Sequence, residues 1–136
     1  MYNKYLLNLI IFVSVSAQQV DIENIRPIVN VDLGTCNDVW GYTDPNGHEF
    51  ALVGHRSGTY IYDVSSNPHN PIEVGFIPGA TSTWRDIKTH SYYCYVTNKT
   101  GGGMDIISLE DPFNPFKVGE YTDTFSTAHN LFISFY

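Results

Sequence analysis

The side chains best suited to chemistry are polar groups that recur at a fixed interval. Tyr42, Asp86 and Asn130 are spaced 44 residues apart, and so are Gly41, Arg85 and His129. Alternate residues of a strand share one face, so a repeated strand carrying these positions would gather a phenol, a carboxylate, an amide, a guanidinium and an imidazole around one axis. Such a ring could hold a ligand or a metal, with Asp86 as oxygen donor and His129 as nitrogen donor or base. The same residues also suit a hydrogen-bond network between neighbouring units, because a buried Arg with a carboxylate must have its polar atoms satisfied. His129 lacks a second histidine at ligand spacing, and His48, His55, His69 and His90 fall in or near turns, where they read as surface residues. The chain carries no Gly-x-Ser-x-Gly elbow and no His-Glu-x-x-His pair, and Gly101-Gly102-Gly103 is not followed by the Lys and helix of a phosphate loop. Asp44-Pro45-Asn46-Gly47 offers oxygen atoms without the spaced carboxylates of a calcium loop. No cofactor is expected from this set.

The interval of 44 belongs to a repeat. Trp40 recurs as Trp84, Gly58 as Gly102, Pro68 as Pro112, Asn70-Pro71 as Asn114-Pro115 and Val74-Gly75 as Val118-Gly119. Ser82-Thr83 recurs as Ser126-Thr127, which opens a third copy. The units are therefore 38–81, 82–125 and a partial 126–136. Trp40, Trp84, Asn70, Pro71, Asn114 and Pro115 read as structural, the tryptophans as wedges between units or as a ligand platform.

Each unit divides into four short strands separated by turn formers. The first reads as Val39–Thr43, Glu49–Gly54, Gly58–Val64 and Glu73–Ile77, and the second as Thr83–Thr89, Tyr92–Asn98, Gly103–Leu109 and Phe116–Tyr121. β-Branched and aromatic residues fill these runs, which favours strand over helix. Four strands every 40 to 50 residues is the period of a β-propeller blade. The expected fold is all-β, with antiparallel four-stranded blades in an incomplete propeller of about two blades and the start of a third. Blades hide their apolar faces against one another, so an N-terminal fragment of a longer protein is expected, and one that on its own is poorly soluble or self-associates. Ile28–Leu33, within the lead-in segment 18–36, could supply a strand that closes a last blade.

Composition sets the surroundings. The net charge is −7 with no basic cluster, which disfavours nucleic acid as a partner. Lys4, the apolar run Tyr5–Val15 and the small residues Val15-Ser16-Ala17 read as an export signal over residues 1–17. The run is shorter than the roughly 20 residues of a membrane span, so any membrane attachment would need an anchor outside this sequence. In an oxidising compartment Cys36 and Cys94 could pair or remain thiols. Asn98-Lys99-Thr100 places a candidate glycosylation acceptor at Asn98.

The blocks Asn37-Asp38-Val39-Trp40-Gly41-Tyr42, Phe50-Ala51-Leu52-Val53-Gly54, Ile61 to Val64 leading into Asn70-Pro71, Trp84-Arg85-Asp86-Ile87-Lys88 and Ala128-His129-Asn130 cover nearly all of residues 37–130. In that order they resemble the LVIVD-repeat propellers of the choice-of-anchor B family. The resemblance implies an extracellular or cell-surface β-propeller and brings no settled activity with it. The expected function is a non-enzymatic module that binds an extracellular protein or a glycan. The alternative is a metal-assisted hydrolase or lyase with its site on the inner strands. Met104-Asp105-Ile106-Ile107 stands where the first unit has Tyr60-Ile61-Tyr62-Asp63, so at an interval of 44 the repeat's aspartate is out of register.

Overall fold

The computed structural model describes residues 25–134, so the export signal expected at residues 1–17 lies outside the described residues. Eight strands run in chain order: β1 (Cys36–Thr43), β2 (Glu49–His55), β3 (Gly58–Asp63), β4 (Ile72–Pro78), β5 (Ile87–His90), β6 (Tyr93–Thr97), β7 (Met104–Ser108) and β8 (Phe116–Tyr121). They form two antiparallel four-stranded sheets, each with its strands in sequence order, β1-β2-β3-β4 and β5-β6-β7-β8. Among the described residues there is no helix. The fold is all-β.

Alternation explains the strands. Phe50, Leu52 and Gly54 on β2 are buried while Ala51, Val53 and His55 between them are half-buried, so one face is apolar and dry. The β1–β2 turn closes on Asp44, whose Oδ1 accepts the amides of Asn46 at 2.9 Å and His48 at 2.8 Å. Gly47 in that turn has φ 87°, a conformation glycine adopts without a Cβ penalty.

The two sheets share one core. Tyr42, Phe50, Leu52, Ile61 and Ile77 of the first meet Ile87, Cys94, Val96, Ile107 and Leu109 of the second. Phe113 stacks edge-on against Phe50 at 5.2 Å, closing one end of the seam. At the other strand edge, Gly75 lets Pro115 lie flat on β4, where any Cβ would collide with the proline ring.

Several boundaries differ from the sequence reading. The β5–β6 hairpin needs only two residues, Ser91 and Tyr92, between its strands, and β5 starts at Ile87 rather than Thr83 because Ser82 and Trp84 form a local turn: Ser82 Oγ accepts the Trp84 amide at 3.1 Å. Ile28–Leu33 forms no strand, and residues 28–32 are exposed. Residues 126–134 also form no strand; they lie across the second sheet, with the Gly103 amide donating to Ser126 O at 2.8 Å and the Ala128 amide to Asn98 O at 3.1 Å.

Candidate functional site

Strand pairing fixes which residues of the two sheets correspond. In the first sheet Trp40, Leu52, Ile61 and Gly75 lie in one row across the four strands. In the second the row is Lys88, Tyr95, Ile106 and Gly119, and both sheets carry their β-bulge just after Ile61 and Ile106. The closing hydrogen bonds agree with this correspondence: the Val64 amide donates to Glu49 O at 3.0 Å, and the Leu109 amide to Tyr92 O at 2.7 Å. The interval is thus 48 residues on the first strand, 43 on the second, 45 on the third and 44 on the fourth.

This corrects the equivalences drawn at a uniform interval of 44. Asp86 corresponds to Asp38, not Tyr42; Arg85 corresponds to Asn37, not Gly41; and Trp40 corresponds to Lys88, not Trp84. Asp63, which a uniform interval leaves unmatched, corresponds to Ser108. The functional equivalence is visible: Asp63 Oδ1 accepts the Ser65 amide at 2.9 Å, and Ser108 Oγ accepts the Glu110 amide at 3.3 Å.

The corrected register exposes a repeated joint. Asp38 Oδ2 accepts the Ile87 amide at 2.8 Å, reaching from β1 to the start of β5. Asp86 Oδ2 accepts the Leu131 amide at 2.6 Å, reaching from the start of β5 to the segment beyond the second sheet. Leu131 follows Asn130 as Ile87 follows Asp86, so each carboxylate accepts a main-chain amide from a segment 45 to 49 residues further on. Asn37 Nδ2 adds a bond to Arg85 O at 2.9 Å. Lys88 Nζ sits 2.6 Å from Asp86 Oδ1 and 4.4 Å from the centre of the Trp40 ring. Burial pushes the Asp86 carboxyl up, but the bonds from Lys88 and the Leu131 amide outweigh it and hold the group below the ordinary carboxylate range.

The predicted ring is therefore dispersed into separate contacts. Tyr42 is buried and tilted against Phe50, with ring centres 6.2 Å apart. Arg85 is buried between the sheets; its Nε donates to His55 O at 2.8 Å and its Nη2 to Ala80 O at 2.6 Å, while Nη1 has no hydrogen-bond partner. Burial weakens its hold on the proton and the charge of Asp105 opposes that; Asp105 itself pairs with Lys117 at 2.7 Å. Arg85 and Asp86 thus turn to different partners. His129 and Asn130 are exposed, joined to each other at 2.8 Å, and His129 lies 5.0 Å from Trp84 ring to ring. Trp84 is 47 % exposed, whereas Trp40 is half-buried and donates Nε1–H to Thr89 Oγ1 at 3.0 Å. Only Trp40 is a wedge between the sheets.

Of the remaining positions, Asn70 is exposed, while Asn114 Nδ2 donates to Asp111 Oδ2 at 2.8 Å and sets Pro115 against Gly75. Cys36 is exposed and Cys94 buried, and both are free thiols, so the pairing left open by the sequence is not made in this structure. Burial pushes the Cys94 thiol far up. Asn98 is buried rather than on an exposed turn; its Nδ2 donates to Ala80 O at 3.0 Å and its Oδ1 accepts from the Thr100 amide at 2.9 Å. The nitrogen that would carry a glycan is enclosed in the folded unit. Among the described residues, no group of three or more His, Cys, Asp and Glu side chains converges as a metal site. Asn37, Asp38 and Lys88 were missed as joint residues; their signal was the likeness of Asn37-Asp38 to Arg85-Asp86, hidden because the interval there is not 44.

No protein-family model, no curated protein and no solved structure matches this chain.

Proposed function

We propose that the two sheets are blades of a β-propeller that works as an exported, non-enzymatic binding module for an extracellular protein or a glycan. The observation that carries this reading is the repeated carboxylate joint: Asp38 and Asp86, the acids best placed for catalysis on the inner strands, are engaged with the main chain of the following unit. Their oxygens organise the array, and the surfaces left for recognition are the turns and loops, where binding residues concentrate on a rigid scaffold. The likeness of its sequence blocks to LVIVD-repeat propellers supports the same reading, as does the leader-like segment at residues 1–17 for export.

The test combines metal analysis of the purified chain with a glycan array and comparison of Asp86→Ala with the parent. The reading expects saccharide or protein binding that survives Asp86→Ala, together with lower stability of that variant. Stoichiometric metal bound by the parent and lost in Asp86→Ala, together with a hydrolytic or lyase activity that disappears with it, would overturn the reading in favour of the enzyme.

A further inference from the structure

The joint between the two sheets shows both of its halves, and each half occurs once more among the described residues with no sheet packed on it, the second sheet's forward face being covered only by residues 125–134. Call the face of each sheet that carries the Trp40 or Lys88 row its forward face, and the opposite one its rear face. The forward face of the first sheet, with Leu52 and Ile61 both 0 % exposed, receives the rear face of the second, where Ile87, Cys94, Val96 and Ile107 are 0 to 1 % exposed. The positions corresponding to those four on the first sheet are Val39, Ala51, Val53 and Tyr62. Three of them are apolar and Tyr62 donates its hydroxyl to Glu73 Oε2 at 3.2 Å, yet Val39 is 64 % exposed and the other three are only half-buried. On the second sheet the forward residues Tyr95 and Met104 open into a cleft of about 610 Å³ beneath residues 125–134.

We propose that a second copy of this chain fills these faces head to tail, the rear face of the first sheet in one copy seating on the forward face of the second sheet in the next. The existing seam supplies the template, including its hydrogen bond. Residues 128–133 now occupy the place over the second sheet that β5 occupies over the first, and they hold it without strand pairing. On docking, β1 of the incoming copy takes that place, and its Val39 amide replaces the Leu131 amide on Asp86 Oδ2, as the Ile87 amide sits on Asp38 Oδ2. The exchange gives up the Ala128–Asn98 backbone bond but keeps the hydrogen bond on Asp86 and covers Val39, Ala51 and Val53, apolar surface whose burial drives association. Because two different faces meet, the contact is heterologous, and an assembly can be stopped from either side. The inference rests on the sheet-to-sheet seam and not on what the module binds, so the binding experiment above and the one below can fail independently.

Sedimentation velocity of the 15.3 kDa, 136-residue chain over a wide concentration range is the test, with Val39→Lys blocking the rear face and Tyr95→Lys the forward face. The parent is expected to form concentration-dependent oligomers, and each variant alone to sediment as a monomer. Their equimolar mixture should give a dimer and nothing larger, because each variant retains the face the other lacks. A parent that stays monomeric, either variant alone forming the parent's oligomers, or a mixture that stays monomeric would each overturn the proposal. Far-UV circular dichroism confirms that the variants keep their sheets; should Tyr95→Lys not, Met104→Lys on the same face replaces it.

Discussion

The Asp38 carboxylate illustrates how one side chain can hold two sheets in register. Removing it strands the Ile87 amide, and a donor that loses its partner at a half-buried seam costs about 1–3 kcal/mol. Asp38→Ala should therefore lower the unfolding free energy measured by urea titration by an amount in that range, while Asp38→Asn, which keeps an acceptor oxygen, should recover most of it. Asp63 adds a pH signature. Burial pushes its carboxyl up, but bonds from Ser66 and Ser65 prevail and bring it from 3.8 down to about 2. Since the folded value lies below the unfolded one, folding favours the ionised form. That stabilisation is complete above 3.8 and is lost as pH falls through about 2. The stability gap between the parent and Asp63→Ser, which installs the residue found at the corresponding Ser108, should shrink across that window in urea titrations at successive pH values.

At the level of strands and hairpins, alternation and turn residues made most of the fold legible. Asn67-Pro68 and Asp111-Pro112 break the chain 44 residues apart because the third-to-fourth-strand connection differs by only one residue between the units, 64–71 against 109–115, and there a uniform interval nearly works. It fails at the hairpins. Five residues separate β1 from β2 but only two separate β5 from β6, and the Gly101-Gly102-Gly103 connection lengthens the β6–β7 hairpin. Nothing local in the sequence announces such trades, and the identity of Trp40 with Trp84 concealed them: one ring bridges the sheets and the other sits on an exposed turn. The candidate site was legible as residue types but not as contacts, since the partners of Arg85 and Asp86 depend on this shifted register. The hairpin itself can be tested. Gly103 has φ 65° and faces Tyr121 O so closely that a Cβ cannot fit, so Gly103→Ala should destabilise the chain by more than about 1 kcal/mol. Gly41→Ala, at a strand position with open space around the missing Cβ, is the control and should leave the denaturation midpoint nearly unchanged.

Among the described residues, the ten buried apolar ones form one cluster drawn from both sheets, so neither sheet has a separate core there to fall back on. Leu52→Ala, in the first sheet, should cost about 2–5 kcal/mol and should reduce hydrogen-exchange protection at Val96 in the second by a comparable amount. Protection at Val96 that outlasts the loss at Leu52 would mean the sheets open independently.

The aspartate joint also has a direction. In both cases oxygen on an earlier segment grips nitrogen on a later one, so the second sheet carries an eyelet for the first and a hook for the chain that follows. A gene encoding such modules can be lengthened by duplicating one of them in tandem without inventing a new connection, and hairpin lengths are free to drift in the copies so long as the hook keeps its place.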